Sequence, residues 1–199
     1  MERAGSSPSR RRLLKGTAFA ALPYTLLPSP RADAHPAPVD HPNAIWEPAS
    51  PANYTAADRP TGDPVDLVII HVTQTTYKNT LPVFWNPRKQ VSAHYVVRSA
   101  DGRVTQCVRE HDIAWHAGDW DYNARSIGIE HEGWIEQPEY FTTAMYTQSA
   151  ALTAAICDRY GIPKDRAHII GHYEVPGTDH TDPGPHWDWA RYIRLVNAV

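Results

Sequence analysis

The sequence predicts an α/β fold, a single domain in which helices flank a central mixed β-sheet. A mostly apolar run at 65–72 is typical of a strand that is buried on both faces. Beyond it, stretches of strand length alternate with stretches of helix length, as in a layered α/β domain. Hydrophobic residues make up 42% of the 199 residues and include seven Trp and ten Tyr, which is enough for one buried core.

The first 34 residues predict a cleavable export signal. A basic segment at 9–15 contains Arg10 and Arg11, an apolar run follows at 16–28, and small residues at 32–34 resemble a cleavage site. Paired arginines favour the twin-arginine pathway and therefore a secreted or cell-wall-associated protein. The apolar run is too short to span a bilayer permanently, so an uncleaved anchor or a chance basic tail is the lesser alternative.

Removal of residues 1–34 would leave an acidic chain. This segment holds six of the 19 Lys and Arg and two of the 22 Asp and Glu, so 13 basic and 20 acidic side chains remain. Binding to nucleic acid requires a basic surface, so we expect no nucleic-acid partner. We also expect a monomer with no permanent membrane span.

The two cysteines, Cys107 and Cys157, would mature outside the cytoplasm if the chain is exported. A disulfide between them could persist there. Two buried free thiols are the alternative, and the sequence leaves both open.

Residues 35–64 predict a linker or an extended N-terminal arm laid over the domain surface. They contain seven prolines and show no period of 2 or 3.6 residues. We expect compact structure to begin at Val65, so that residues 65–199 form the folded domain.

Local sequence patterns predict the secondary structure in the first half of that domain. After the first strand, a short helix is predicted at 79–85, ending before Pro87 because proline disfavours helical geometry in the residue before it. Runs at 93–98 and 103–108, joined by a turn at 100–102, predict a β-hairpin.

The second half contains the longest predicted helix. A strand at 126–132 precedes this helix at 141–160, which Gly161 closes because glycine adopts the left-handed conformation that ends helices. A short strand at 168–172 and a final helix at 187–197 complete the domain.

Three side chains could form a metal site. His71 ends the first strand and His172 closes a later one, so a rigid element would hold each imidazole. The prolines and glycines at 176–184 turn the chain sharply and could bring Asp182 back toward His172. Two imidazoles and a carboxylate suit zinc, with a fourth position open in a catalytic site. Spacing alone leaves open that these are ordinary hydrogen-bonded or exposed side chains.

Five ordered motifs carry a resemblance to a known family. The segments VIIHVTQTTY, VSAHYVV, WHAG, RSIGIEHEG and GHYEVPGTDHTDPGPHWDW resemble the successive motifs of the type 2 N-acetylmuramoyl-L-alanine amidases. These zinc amidases share their fold, a mixed sheet flanked by helices, with the peptidoglycan recognition proteins. The resemblance covers about 65–190 and implies that His71, His172 and Asp182 bind one Zn²⁺.

The resemblance also implies the reaction. Such an enzyme hydrolyses the amide bond between N-acetylmuramic acid and L-alanine in peptidoglycan or muropeptides, and Glu130 corresponds to the family's general base. Glu132 is a lesser candidate, since it is expected on the same face of the strand. A peptidoglycan-binding module without catalysis and a zinc peptidase acting on the stem peptide remain alternatives, although the chain contains no H-E-x-x-H motif.

Two positions depart from the commonest pattern of the family. His180 stands where many members have a lysine that stabilises the oxyanion, so the resemblance assigns that role to His180. Ala93 stands where recognition proteins and phage enzymes often have a tyrosine that faces the metal. The bacterial members that use glutamate share this alanine, so it is consistent with an enzyme.

Further histidines and tryptophans lie near the motifs. We expect His94, His116 and Trp115 to contact substrate, because their motifs line the cleft in the resembled family. An aromatic face suits a sugar ring, yet Trp is more often packed in a core, so both interpretations stay open for Trp115, Trp120 and Trp134. The remaining residues are Trp120 and Trp134, which flank the cleft motifs, Trp187 and Trp189, expected in the core, and His111, His131, His168 and His186, expected to be structural or exposed.

Overall fold

The computed structural model describes residues 39–199, which belong to one compact unit. The predicted export signal at 1–34 and the start of the arm lie outside the described residues. The strands are β1 (Ile45–Trp46), β2 (Tyr54–Thr55), β3 (Leu67–Val72), β4 (Tyr95–Val97), β5 (Val104–Gln106), β6 (Ile113–Ala114), β7 (Ser126–His131) and β8 (Ile169–Gly171). The α-helices are α1 (Tyr77–Trp85), α2 (Trp120–Arg125), α3 (Thr143–Tyr160) and α4 (Trp189–Val196).

Six of the strands form one mixed sheet, which confirms the predicted α/β class. Their order is β1-β5-β4-β7-β3-β8, and β2 and β6 form a separate antiparallel pair. Within the sheet only β4 and β5 pair antiparallel, as the predicted hairpin. The central strands β3 and β7 run parallel with His71 opposite Glu130, so these two side chains leave the same face of the sheet.

The two faces of the sheet bury different helices. Side chains of β3 at Val68, Ile70 and Val72 pack in the main core cluster with α3 and α4. The helix α1 packs on the opposite face, where Leu81 and Phe84 lie in a smaller cluster. Because side chains alternate along a strand, His71 points away from the main core and toward the opposite face.

The long helix α3 ends before Gly161 as predicted and begins at Thr143, two residues later than predicted. The side chain of Thr142 accepts a hydrogen bond from the backbone N–H of Met145 at 3.1 Å, which caps the first turn. Gly161 ends the helix with a φ of 69°, a conformation that a residue with a Cβ adopts only at a cost. This helix covers the face of the sheet opposite His71.

Local patterns missed the shortest elements. The helix α2 has six residues and the strands β1, β2 and β6 have two each, too few to show a period. The predicted elements are present with shifted ends: α1 begins at Tyr77, two residues early, and α4 begins at Trp189, two residues late.

The N-terminal arm is part of the folded unit, so the prediction that compact structure begins at Val65 is wrong. The guanidinium of Arg59 is buried and donates hydrogen bonds to the backbone carbonyls of Ala124, Ser126 and Glu110 at 2.8 to 3.0 Å. Burial lowers the pKa of Arg59 to about 10. Local periodicity could not reveal this, because the carbonyl partners come from segments more than 50 residues away.

Both cysteines are buried free thiols, which decides between the two alternatives left open by the sequence. Cys107 lies in the cluster beneath α1, whereas Cys157 lies on α3 in the main core on the other face of the sheet. The sheet therefore separates them. Burial raises the pKa of both thiols, to about 12 for Cys157. None of the helices within residues 39–199 is long and apolar enough to cross a membrane.

Candidate active site

The three predicted metal ligands converge at the carboxyl end of β3. Asp182 Oδ2 lies 3.3 Å from His71 Nδ1, and Asp182 Oδ1 lies 3.2 Å from His172 Nδ1. One donor atom from each of the three buried residues lies within 4.8 Å of the other two. Ligands of a tetrahedral zinc at about 2.0 to 2.1 Å from the ion are roughly 3.3 to 3.4 Å apart, so these separations fit zinc.

Charges at this cluster favour metal binding. Burial alone would raise the pKa of Asp182, but its contacts to His172 and His71 outweigh burial and hold the pKa below its usual range. Burial lowers the pKa of His71, although Asp182 opposes that shift. An ionised carboxylate therefore faces a neutral imidazole, the forms in which both groups bind metals.

The tautomer of His172 leaves a lone pair directed at the carboxylate. His172 Nε2 lies 3.3 Å from the backbone carbonyl oxygen of Ala117, which can only accept, so the ring proton is on Nε2. The Nδ1 lone pair then faces Asp182 Oδ1 at 3.2 Å. Two electron-rich atoms at this distance repel each other unless a cation lies between them. The donor set thus fits a divalent metal ion.

Glu130 lies beside this cluster on the neighbouring strand. It is in register with His71, and both residues line the same cleft. Its Oε2 atom is shielded from solvent and has no hydrogen-bond partner among the described residues. Burial, and then the charge of Asp182, raise the pKa of Glu130 well above its usual value. A carboxylate with a free oxygen and a raised pKa is suited to proton transfer.

A cleft of about 760 Å³ opens over the cluster. Trp120, which is 58% exposed, and the half-buried Trp115 line it together with polar side chains. Gln74 and Gln90 also line the cleft and have φ values of 52° and 51°, a conformation that non-glycine residues rarely adopt. Such backbone strain concentrates at functional sites. Nothing in the local sequence around either glutamine indicated it.

His180 lies at the rim of the cleft. Its ring stacks on His172 with centroids 4.0 Å apart, and its Nδ1 is 3.4 Å from Asp182 Oδ1. More than half of the side chain is exposed, so it can reach a molecule bound in the cleft. Ala93 is buried in the cluster beneath α1, where it contributes no polar group.

Two predicted substrate contacts are corrected by the structure. His94 is completely buried, does not line the cleft, and accepts a hydrogen bond from the backbone N–H of Gly128 at its Nδ1. His116 lines the cleft, but its two ring nitrogens contact His71 and Ser126. Neither ring nitrogen is therefore free for substrate. Sequence motifs located both residues near the site and could not show which way their rings point.

Glu132 is not part of the cleft. The strand β7 ends at His131, and the two carboxylate oxygens of Glu132 accept backbone N–H groups of Tyr77 and Ser99, each at 2.9 Å. Glu132 thus holds the start of α1 and the β4–β5 turn in place.

The structure also locates the other tryptophan and histidine side chains that the sequence analysis singled out. His131 is buried on the opposite face, where its ring contacts Ser149, and Trp187 is in the main core. Trp189 is partly buried against that core, and Trp134 stacks edge-on against Tyr140 outside the cleft. The residues near or at the surface are His111, His168 and His186.

Comparisons with known proteins find relatives of this chain in sequence and in fold. A family model described as N-acetylmuramoyl-L-alanine amidase matches residues 61–185. N-acetylmuramoyl-L-alanine amidase A of Achromobacter lyticus is 37% identical over 177 residues, covering 80% of this chain and 97% of that protein.

Two solved structures are similar in fold and sequence. The crystal structure of a selenomethionine derivative of AmpD matches with a TM-score of 0.64 and 31% identity, covering 77% of this chain and 94% of that chain. The amidase AmiD from E. coli, in complex with the substrate anhydro-N-acetylmuramic acid-L-Ala-D-gamma-Glu-L-Lys, matches with a TM-score of 0.57 and 28% identity. That match covers 66% of this chain and 57% of AmiD.

Proposed function

Because the chain belongs to the N-acetylmuramoyl-L-alanine amidase family, we propose that it uses zinc to hydrolyse the amide bond between N-acetylmuramic acid and L-alanine. The observation that carries the zinc proposal is the convergence of His71 Nδ1, His172 Nδ1 and the Asp182 carboxylate. When bound there, zinc supplies a Lewis acid that polarises the amide carbonyl and makes water a better nucleophile at neutral pH.

The protein's own residues move the protons of the reaction. Water adds to the carbonyl carbon of the lactyl group, and Glu130 takes the proton that this water loses. The bond from carbon to nitrogen then breaks, and Glu130 returns the proton to the departing amine of L-alanine. The products are a muramic acid carboxylate and a free stem peptide. The unpartnered Oε2 of Glu130 and its raised pKa support this role.

Mass spectrometry of the products tests the proposed reaction. The purified full chain, loaded with zinc, is incubated with a muramoyl-peptide, and we expect free stem peptide that begins with L-alanine. Fragments cut within the stem would indicate a peptidase instead. Binding of the muropeptide without turnover would indicate a recognition module and overturn the proposal.

His180 is proposed to stabilise the oxyanion. A hydrogen bond from its ring would reach the carbonyl oxygen as that atom gains negative charge, which its exposed position at the cleft rim allows. Substituting His180→Ala should lower kcat by about 10²- to 10³-fold, the usual cost of losing one such donor, and leave zinc affinity intact. His180→Lys should recover most of the rate.

Measured rates on a muramoyl-peptide check this prediction, with His186→Ala as the control. His186 is an exposed histidine of the same loop and does not line the cleft. A wild-type kcat for His180→Ala would show that the ring has no part in the reaction.

The substrate is proposed to be peptidoglycan or a muropeptide. The AmiD complex contains a muramoyl tripeptide, and the cleft of about 760 Å³ is large enough for its central part. Trp115 and Trp120 present aromatic surface at the cleft, which supports contact with a sugar ring or a stem residue.

Export by the twin-arginine pathway is also proposed, on the basis of Arg10 and Arg11 in the basic segment at 9–15. Residues 1–34 fused to a reporter that folds before translocation should deliver it across the membrane. Replacing both arginines with lysine should retain the reporter in the cytoplasm, and Arg3→Lys serves as the control. Export that is unaffected by the paired substitution would exclude this pathway.

A further inference from the structure

A second buried imidazole lies directly behind the metal ligand His71. His116 Nδ1 is 3.0 Å from His71 Nε2, the ring nitrogen of the ligand that points away from Asp182. On its other side, His116 Nε2 is 3.2 Å from the hydroxyl oxygen of Ser126 at the start of β7. These contacts form a chain that leads from the metal ligand into the sheet.

The direction of the hydrogen bonds along this chain is determined at its far end. The Ser126 hydroxyl is 2.5 Å from the backbone carbonyl oxygen of Tyr122, which can only accept a hydrogen bond. Ser126 therefore donates its single proton to Tyr122. It follows that Ser126 can only accept from His116, so the proton of a neutral His116 ring is on Nε2.

The same logic fixes the protonation of His71. His116 Nδ1 carries no proton in this tautomer and must accept one from His71 Nε2. The Nδ1 atom of His71 is then left with a lone pair, and this is the atom that faces Asp182 Oδ2 at 3.3 Å. The hydrogen bonds from Ser126 through His116 thus present His71 in the form that binds a metal ion.

The protein provides a fitted space for the His116 ring. A Cβ added at Gly128 would lie 2.5 to 2.6 Å from three atoms of that ring, closer than any packed contact allows. The side-chain oxygen of Asn123 accepts the backbone N–H groups of His116 and Ala117 at 2.9 and 2.8 Å. Ring and backbone are therefore both held, by residues from α2 and β7.

We propose that His116 and Ser126 are positioning residues that fix the tautomer of His71 with Nδ1 directed at the metal. This inference rests on the proposed zinc site and assigns His116 a role other than substrate contact. It also explains why WHAG and RSIGIE occur together: His116, Ser126 and the bare backbone of Gly128 form one unit. Hydrogen-bonded partners of this kind orient metal-binding histidines and increase their affinity for the metal.

Four variants of the full chain test the proposal. His116→Leu removes the acceptor for His71, whereas His116→Asn restores an acceptor because its Oδ1 takes the place of Nδ1. Ser126→Ala removes the acceptor for His116. The control is Ser149→Ala, a buried serine that contacts the ring of His131 on the opposite face of the sheet. His131 in turn contacts His71 only through the backbone carbonyl.

Two measurements are made on each variant. Zinc affinity is measured by competition with a chromogenic chelator. His116→Leu should weaken this affinity by about 10- to 100-fold, the usual effect of losing a hydrogen-bond partner of a metal ligand. His116→Asn should recover most of this loss, and Ser149→Ala should match the wild type. The tautomer of His71 is measured in the metal-free protein from its ring ¹⁵N shifts. The wild type should carry its proton on Nε2, and Ser126→Ala should shift the population toward Nδ1.

Each result supports or overturns the proposal. Equal zinc affinities in His116→Leu and His116→Asn, or an unchanged His71 tautomer in Ser126→Ala, would reject it. If His116→Leu does not fold, His116→Asn and Ser126→Ala still provide the test. A wild type that binds no zinc would contradict the proposed function. The tautomer measurement would still decide whether the hydrogen bonds through His116 and Ser126 orient His71.

Discussion

Replacing Asp182 with Asn is expected to abolish zinc binding and to reduce amide hydrolysis to the uncatalysed background. Asp182 is the only carboxylate in the ligand group, and both of its oxygens lie within 3.3 Å of a ligand imidazole. Losing an outer partner of a metal ligand already costs about 10- to 100-fold in affinity, so loss of a direct anionic ligand should cost more. The amide keeps the shape of the side chain and removes its charge.

Chelator competition and release of stem peptide measure the two effects. Asp179→Asn provides the matched control, since it removes an exposed carboxylate from the same loop outside the main cleft. Zinc should also raise the Tm of the wild type, because an ion that binds only the folded state stabilises it by about 2.7 kcal/mol at 100 times its Kd. A zinc-dependent rise in the Tm of Asp182→Asn equal to that of the wild type would show that the ligand assignment is wrong.

Strand patterns in the sequence located His71 near the end of β3 and His172 just after β8, but spacing alone left open whether these side chains form a metal site. His71 and Glu130 are on adjacent parallel strands in register, and this pairing of β3 with β7, which strand patterns do not give, brings the two side chains together. His172 follows β8, the neighbour of β3 on its other side, and Asp182 reaches the site through a loop that turns at Gly177. The resemblance then supplied their roles.

The surroundings of the ligands could not be predicted in the same way. His94 and His116 are in motifs that surround the cleft, yet His94 is buried and accepts the backbone N–H of Gly128, while the ring of His116 lies behind His71. The direction in which each imidazole ring points depends on contacts between segments far apart in the chain. Arg59 is a second case, because an arginine in a proline-rich arm gives no local sign that it will be buried against distant carbonyls.

Substituting Glu130→Gln is expected to lower kcat by about 10²- to 10⁴-fold while zinc affinity stays close to that of the wild type. The amide cannot take a proton from water, and Glu130 is not one of the three grouped donors. Glu132→Gln is the control, since Glu132 holds the backbone N–H groups of Tyr77 and Ser99 and lies outside the cleft. It should lose thermal stability and keep its turnover. Full turnover by Glu130→Gln would show that another group is the base.

For Glu130→Gln we also predict a change in thermal stability that does not depend on catalysis. Burial and Asp182 raise the folded-state pKa of Glu130, so in the metal-free protein its ionisation opposes folding. This cost is absent below the unfolded-state pKa of about 4.3 and increases as the pH rises above it. Metal-free Glu130→Gln should therefore melt at a higher temperature than the metal-free wild type at pH 7, and the difference should vanish near pH 4. A constant difference in Tm across this range would mean that Glu130 is not held in the environment that its proposed role requires.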